Sequence, residues 1–161
     1  MGPREWGRCV LLLRCVMEQA GIEWMGIRNT EVLRYWPALE PYIELALSYS
    51  LGEYEACDVL AALEAGRMQA WAVAQDGDLL CVVVTEVIRY PRRIVVNLLF
   101  GAGEQMTAWR PLIETLKAWA LERGAHEVRV IGRPGWERAL SNFGFVKAYT
   151  VLTCPITGNM Q

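Results

Sequence analysis

"RIVVNLLFGAGEQMTAWRPLIETLKAWALERGAHEVRVIG", residues 93–132, carries the pattern that decides the fold. Two short runs rich in Val, Ile and Leu flank a segment in which Trp109, Leu112, Ile113, Leu116, Trp119 and Ala120 fall at helical spacing. Apolar residues at that interval mark an amphipathic helix, and Gly124 behind them supplies a left-handed stop. A helix between "RIVVNLLF" and "EVRVIG" lets the two strands lie parallel and adjacent through a right-handed crossover.

Upstream, "MQAWAVAQ" and "LLCVVVTEVIRY" are separated by Asp76-Gly77-Asp78, which predicts a hairpin, and Pro91-Arg92-Arg93 predicts a second before "RIVVNLLF". "YEACDVLAALEAG" places Ala56, Val59, Leu60 and Leu63 on one helical stripe ended by Gly66. Between Thr30 and Ser50, Leu39, Tyr42, Ile43 and Ala46 have helical spacing, and Pro37 or Pro41 is expected to mark the helix start. Downstream, Pro134 and Gly135 turn the strand "EVRVIG" into a short helix, "GWERALSNFG", with Trp136 packed at the corner and Phe143 and Phe145 as core aromatics. "FVKAYTVLTC" reads as a last long strand. The expected order is two helices, a three-stranded antiparallel meander, helix, strand, helix, strand. Residues 1–28 lack a regular pattern and read as an N-terminal extension, with residues 29–154 as the domain and 155–161 as a tail.

The 161 residues are just over half apolar, which suits one domain with a real core, and the net charge of −2 provides no broad basic surface for nucleic acid. Cys9, Cys15, Cys57, Cys81 and Cys154 lack CxxC spacing and read as buried thiols in a reducing, cytoplasmic setting. His126 has no Cys or acidic residue at ligand spacing, so no metal is expected. The apolar run "CVLLLRCVM" is interrupted by Arg14 and too short for a membrane span. Trp71, Trp109, Trp119 and Trp136 fall on faces expected to be buried, whereas Trp6, Trp24 and Trp36 lie in the irregular N-terminal part as candidate interface residues.

The element order, the closing Gly144-Phe145 and the corner Gly132-Arg133-Pro134-Gly135-Trp136 resemble the GCN5-related N-acetyltransferase (GNAT) superfamily over roughly residues 30–154. More narrowly they resemble acetyltransferase-like proteins of bacteriophages and prophages. The resemblance implies an α/β fold: a GNAT-like mixed central sheet, an antiparallel meander followed by a parallel, splayed strand pair, flanked by helices. It further implies that acetyl-CoA lies in the gap between the splayed strands, against the backbone of Leu99, Phe100, Gly101, Ala102 and Gly103, with Arg133 available for a phosphate or carboxylate. The superfamily's glycine-rich pyrophosphate loop is replaced here by Glu104, Thr107 and Trp109, and Leu140 stands where a catalytic Tyr is usual.

For acid–base chemistry the candidates are Glu86, Asn97 and Tyr149, with Tyr90 as a further hydroxyl. Each has a plainer reading: a solvated strand Glu, a packing Tyr, and for Arg133 a salt bridge to Glu137 or Glu104. Two functions follow. One is an acetyl-CoA-dependent N-acyltransferase acting on a small-molecule or protein amine. The other is a catalytically inactive phage protein of the same fold, acting as a virion or morphogenesis component or on a host protein.

Overall fold

The structure, a computed structural model, describes residues 15–16 by their backbone, and residues 21–103, 109–132 and 134–156. The chain divides into two compact units, Met1–Ile131 and Gly132–Gln161. The first holds a six-stranded sheet in chain order: β1 (Cys15–Val16), β2 (Ile22–Ile27), β3 (Met68–Gln75), β4 (Asp78–Arg89), β5 (Ile94–Gly103) and β6 (Glu127–Val130). Neighbours pair antiparallel except β5 and β6, which are parallel and joined through α3 (Trp109–Glu122). Between β2 and β3 run a 3-10 turn (Asn29–Glu31), α1 (Val32–Leu47) and α2 (Ala56–Glu64).

Local chemistry explains most of these boundaries. Asp76 and Gly77 both take positive φ, 51° and 91°, the backbone of a two-residue turn whose twist matches a hairpin. Glu55 and Asp58 form a reciprocal capping box at the start of α2, which satisfies amides that have no partner inside the helix. All six apolar residues of the α3 stripe are buried.

The core has two layers. On one face of the sheet, Ile27, Met68, Ala70, Val82, Val84 and Phe100 pack with residues of α1 and α2 such as Tyr35, Leu39, Ile43 and Leu63. On the other, Trp71 meets Trp119 of α3 edge to face with ring centroids 5.1 Å apart, and its indole N–H donates to Thr85 Oγ1 at 3.0 Å. The partner for that N–H matters because an unpaired buried donor costs about 1–3 kcal/mol.

Several expectations need correction. α1 begins at Val32 and runs through both Pro37 and Pro41, so neither proline marks its start. An interior proline costs about 3 kcal/mol. Against that cost stands the burial of Val32, Tyr35, Leu39 and Ile43 along one face, at about 1.5–3 kcal/mol per large apolar side chain. Residues 22–27, set within the N-terminal extension, form an integral strand whose register runs from Ile22↔Gln75 to Ile27↔Ala70. The alternation is hidden because consecutive residues Trp24 and Met25 are both buried, and because Gly26 gives up a side chain to make room for the Trp71 ring. Among the thiols, Cys81 is buried, whereas Cys57 and Cys154 are exposed.

In the second unit α4 (Gly135–Ser141) follows Pro134 as anticipated. A Cβ on Gly132 would lie 2.7 Å from Trp136 Cδ1, so the corner closes by laying the indole over a bare glycine backbone. Phe143 is buried and Phe145 half-buried. Residues 145–154, expected as the last strand, form no ladder among the described residues.

Candidate functional site

The parallel ladder between β5 and β6 is short. It runs from Val95↔Glu127 to Leu98↔Val130 and stops. β5 continues to Gly103, still paired with β4 from Val84↔Phe100 to Cys81↔Gly103. From Leu99 to Gly103, therefore, no strand among the described residues pairs with the second edge of β5. The divergence has a local cause: Thr85 pairs with Leu98 and Val84 with Phe100, so Leu99 is an extra residue in β5. Such a bulge bends its strand and increases the twist. Leu99 and Phe100 both pack on the α1/α2 side, as expected when an insertion breaks the alternation. β6 itself ends at Val130.

This edge is chemically unsaturated. In an antiparallel pairing a strand directs only part of its N–H and C=O groups at its neighbour, so alternate groups from Leu99 to Gly103 point away from β4. An extended molecule with its own amides could complete that edge as an added strand does. Gly101, Ala102 and Gly103, expected to lie against the donor, belong to the strand. Gly103 has φ of +144°, and a Cβ there would lie 2.6 Å from Cys81 Cα and closer still to the Leu80 carbonyl oxygen. Its glycine identity is accounted for by this close approach of β4. Glu104, Thr107 and Arg133 lie outside the described residues.

Glu86 and Asn97 come together as register partners on β4 and β5, and Asn97 Nδ2 donates to Glu86 Oε1 at 3.2 Å. Asn97 is 6% exposed, and its Oδ1 has no hydrogen-bond partner among the described residues. Asn97 directly precedes Leu98, the last residue of the parallel ladder, so a half-buried carboxylate and a buried amide with a spare acceptor sit at the inner end of the open edge. Tyr149 lies half-exposed in the second unit, in the stretch that carries no ladder. Tyr90 accepts a 3.4 Å hydrogen bond from Nη1 of Arg129, the register partner of Asn97 on β6. His126 accepts a hydrogen bond from the Ile94 amide at Nδ1, 3.2 Å, and helps start β5. Among the described residues no group of three or more His, Cys, Asp or Glu could hold a metal ion.

Beside Glu86 opens a cavity of about 1150 Å³, at the end of the sheet where β2 finishes and β3 begins, opposite the Gly103 end of β5. Tyr54, edge to face with Phe100 at 5.5 Å, lines it and ties the α1–α2 connection to β5. Four arginines line it as well: Arg28, Arg67, Arg89 and Arg123. Arg123 stacks on Trp119, its guanidinium carbon 3.9 Å from the ring centroid, and desolvation there lowers its pKa against an opposing effect of Glu122. These arginines are missing from the sequence reading because nothing in their separate surroundings connects them.

No family model matches the chain, and no curated protein matches it in sequence. Solved structures do match it in shape. An aminoglycoside acetyltransferase from an uncultured soil metagenomic sample, in complex with trehalose, aligns over 86% of this chain and 99% of its own with a TM-score of 0.63 at 10% identity. A predicted acetyltransferase from Clostridium acetobutylicum, solved with acetyl-CoA, gives 0.62 over 83% and 96% at 9% identity. The ribosomal-protein-alanine N-acetyltransferase of Brucella melitensis biovar Abortus gives 0.58 over 85% and 99% at 14% identity. The likeness shows the fold, that of GCN5-related N-acetyltransferases, with its antiparallel strands and one diverging parallel pair.

Proposed function

We propose that this chain is an acetyl-CoA-dependent N-acyltransferase whose donor occupies the open edge of β5 and whose acceptor amine enters from the cavity beside Glu86. The observation that carries the reading is the ladder that stops at Leu98↔Val130 while β5 runs on to Gly103. Acetyl-CoA bound there supplies an acyl group activated as a thioester. The backbone from Leu99 to Gly103 orients that donor. The Glu86 carboxylate accepts a proton from the acceptor ammonium, freeing the nitrogen lone pair to form the new C–N bond as the C–S bond breaks. Asn97 holds the carboxylate through Nδ2. The sum is R–NH3+ plus acetyl-CoA giving the N-acetyl amide, CoA thiol and one proton.

Calorimetric titration of the full chain with acetyl-CoA tests this. Saturable heat accompanied by a rise in melting temperature is expected, because a ligand bound only by the folded state stabilises it. Absence of both at millimolar concentration defeats the reading. One observation favours the second reading, a scaffold of phage origin that binds a virion or host protein without chemistry. Leu140, in the place of the usual Tyr, is buried at 2% exposure and supplies no hydroxyl.

A further inference from the structure

Building on the acyl-transfer reading, we infer that the acceptor is a primary amine carrying an anionic group, a carboxylate or a phosphate, and that Arg28, Arg67 and Arg89 receive that group. The cavity is not simply basic, since Glu53, Asp58 and Glu86 also line it. What separates the two signs is their engagement. Glu53 accepts the Leu51 amide at 2.9 Å, Asp58 accepts the Glu55 amide at 2.9 Å within the capping box, and Glu86 accepts from Asn97. The guanidinium groups of Arg28, Arg67 and Arg89 make no hydrogen bond or ion pair among the described residues.

Backbone register brings the three to one rim. Arg28 follows Ile27, which pairs with Ala70; Arg67 precedes Met68, which pairs with Glu86; and Arg89 is three residues beyond Glu86 on β4. A guanidinium offers several fixed donors, and its bonds to carboxylate or phosphate oxygens are shorter and stronger than neutral ones. Glu86 at the inner wall takes the ammonium and the arginine rim takes the anion, so a zwitterionic molecule satisfies both ends. The site is distinct from any phosphate contact of the donor at the Gly103 end of β5, because β4 and β5 are antiparallel and Gly103 pairs with Cys81, far along β4 from Arg89.

The test is calorimetric titration of the full chain at low ionic strength with three matched amines, β-alanine, O-phosphoethanolamine and ethanolamine, and with spermidine as a polycation. At least one anion-bearing amine is expected to bind roughly tenfold or more tighter than ethanolamine. Whichever of the two binds better identifies the group as carboxylate or phosphate. The doubly substituted Arg67→Gln/Arg89→Gln protein, altered only at exposed positions, is expected to keep its melting temperature and lose the difference. The inference is overturned if ethanolamine or spermidine binds as well as the anion-bearing amines, or if the difference survives the double substitution. Titration of the same protein with acetyl-CoA separates the two readings. Donor binding without anion preference defeats only the acceptor inference, and anion preference without donor binding defeats the acyl-transfer reading while the arginine site stands.

Discussion

Replacing Gly103 with alanine separates a structural role from a ligand-binding one. The φ of +144° is a conformation that an L-residue adopts only with strain, at about 1–3 kcal/mol. The new methyl group would also stand 2.6 Å from Cys81 Cα, against backbone that cannot swing aside, and such overpacking costs about 1–3 kcal/mol more. The sum is about 2–6 kcal/mol, and at about 2–4 °C per kcal/mol for a chain of this size the melting temperature falls by at least about 4 °C. Gly52→Ala is the control, because Gly52 has φ of +92° with nothing within 4 Å of its added Cβ and so reports backbone strain alone. Thermal melts followed by circular dichroism, with urea titrations for free energies, measure both. If Gly103→Ala loses no more stability than Gly52→Ala, the close approach of β4 is not what requires glycine, and the account of the β5 end given above fails.

Glu86→Gln keeps the shape of the side chain and removes the base, so transfer is expected to fall by about 10²–10⁴-fold while acetyl-CoA affinity is unchanged; a rate within tenfold of the original would remove Glu86 from the chemistry. Asn97→Leu deletes the donor to Glu86 together with an acceptor that has no partner, so urea unfolding should change by less than about 1.5 kcal/mol even as transfer drops. A larger loss would mean that Asn97 serves the fold. Burial pushes the Cys81 thiol from 9.0 up to about 12. The folded state therefore holds this proton more tightly than the unfolded chain does, and the contribution is complete below pH 9 and disappears as pH rises toward 12. The stability difference between the original protein and Cys81→Val should accordingly shift by up to about 1.4 kcal/mol per pH unit across that window, and a flat difference would contradict it.

The parts legible in the chain were those governed by near neighbours. The α3 stripe needs only the helical period, and the Asp76-Gly77 turn needs only residues that tolerate positive φ. The second hairpin follows in the same way from Pro91-Arg92-Arg93, although its register, from Arg89↔Ile94 to Glu86↔Asn97, belongs to the paired strands. A parallel β5–β6 pair likewise follows from the helix between them.

Features that depend on meetings between distant segments escaped it. The α1 helix was legible in the spacing of Leu39, Tyr42, Ile43 and Ala46, but its start was not: it runs back through Pro41 and Pro37 to Val32 because Val32 and Tyr35 are buried in the core with Leu39 and Ile43. Leu99 bears no mark of a bulge, since register is a property of two strands and not of one. Residues 145–154 read as a strand in the sequence and form no ladder among the described residues. The arginines at 28, 67, 89 and 123 are unrelated along the chain and share a cavity only after the sheet has assembled. Periodicity and turn chemistry reside in consecutive residues, so sequence alone determined the elements and much of their order. Register, close approach and the convergence of charges arise where remote segments meet, and these were decided by tertiary structure.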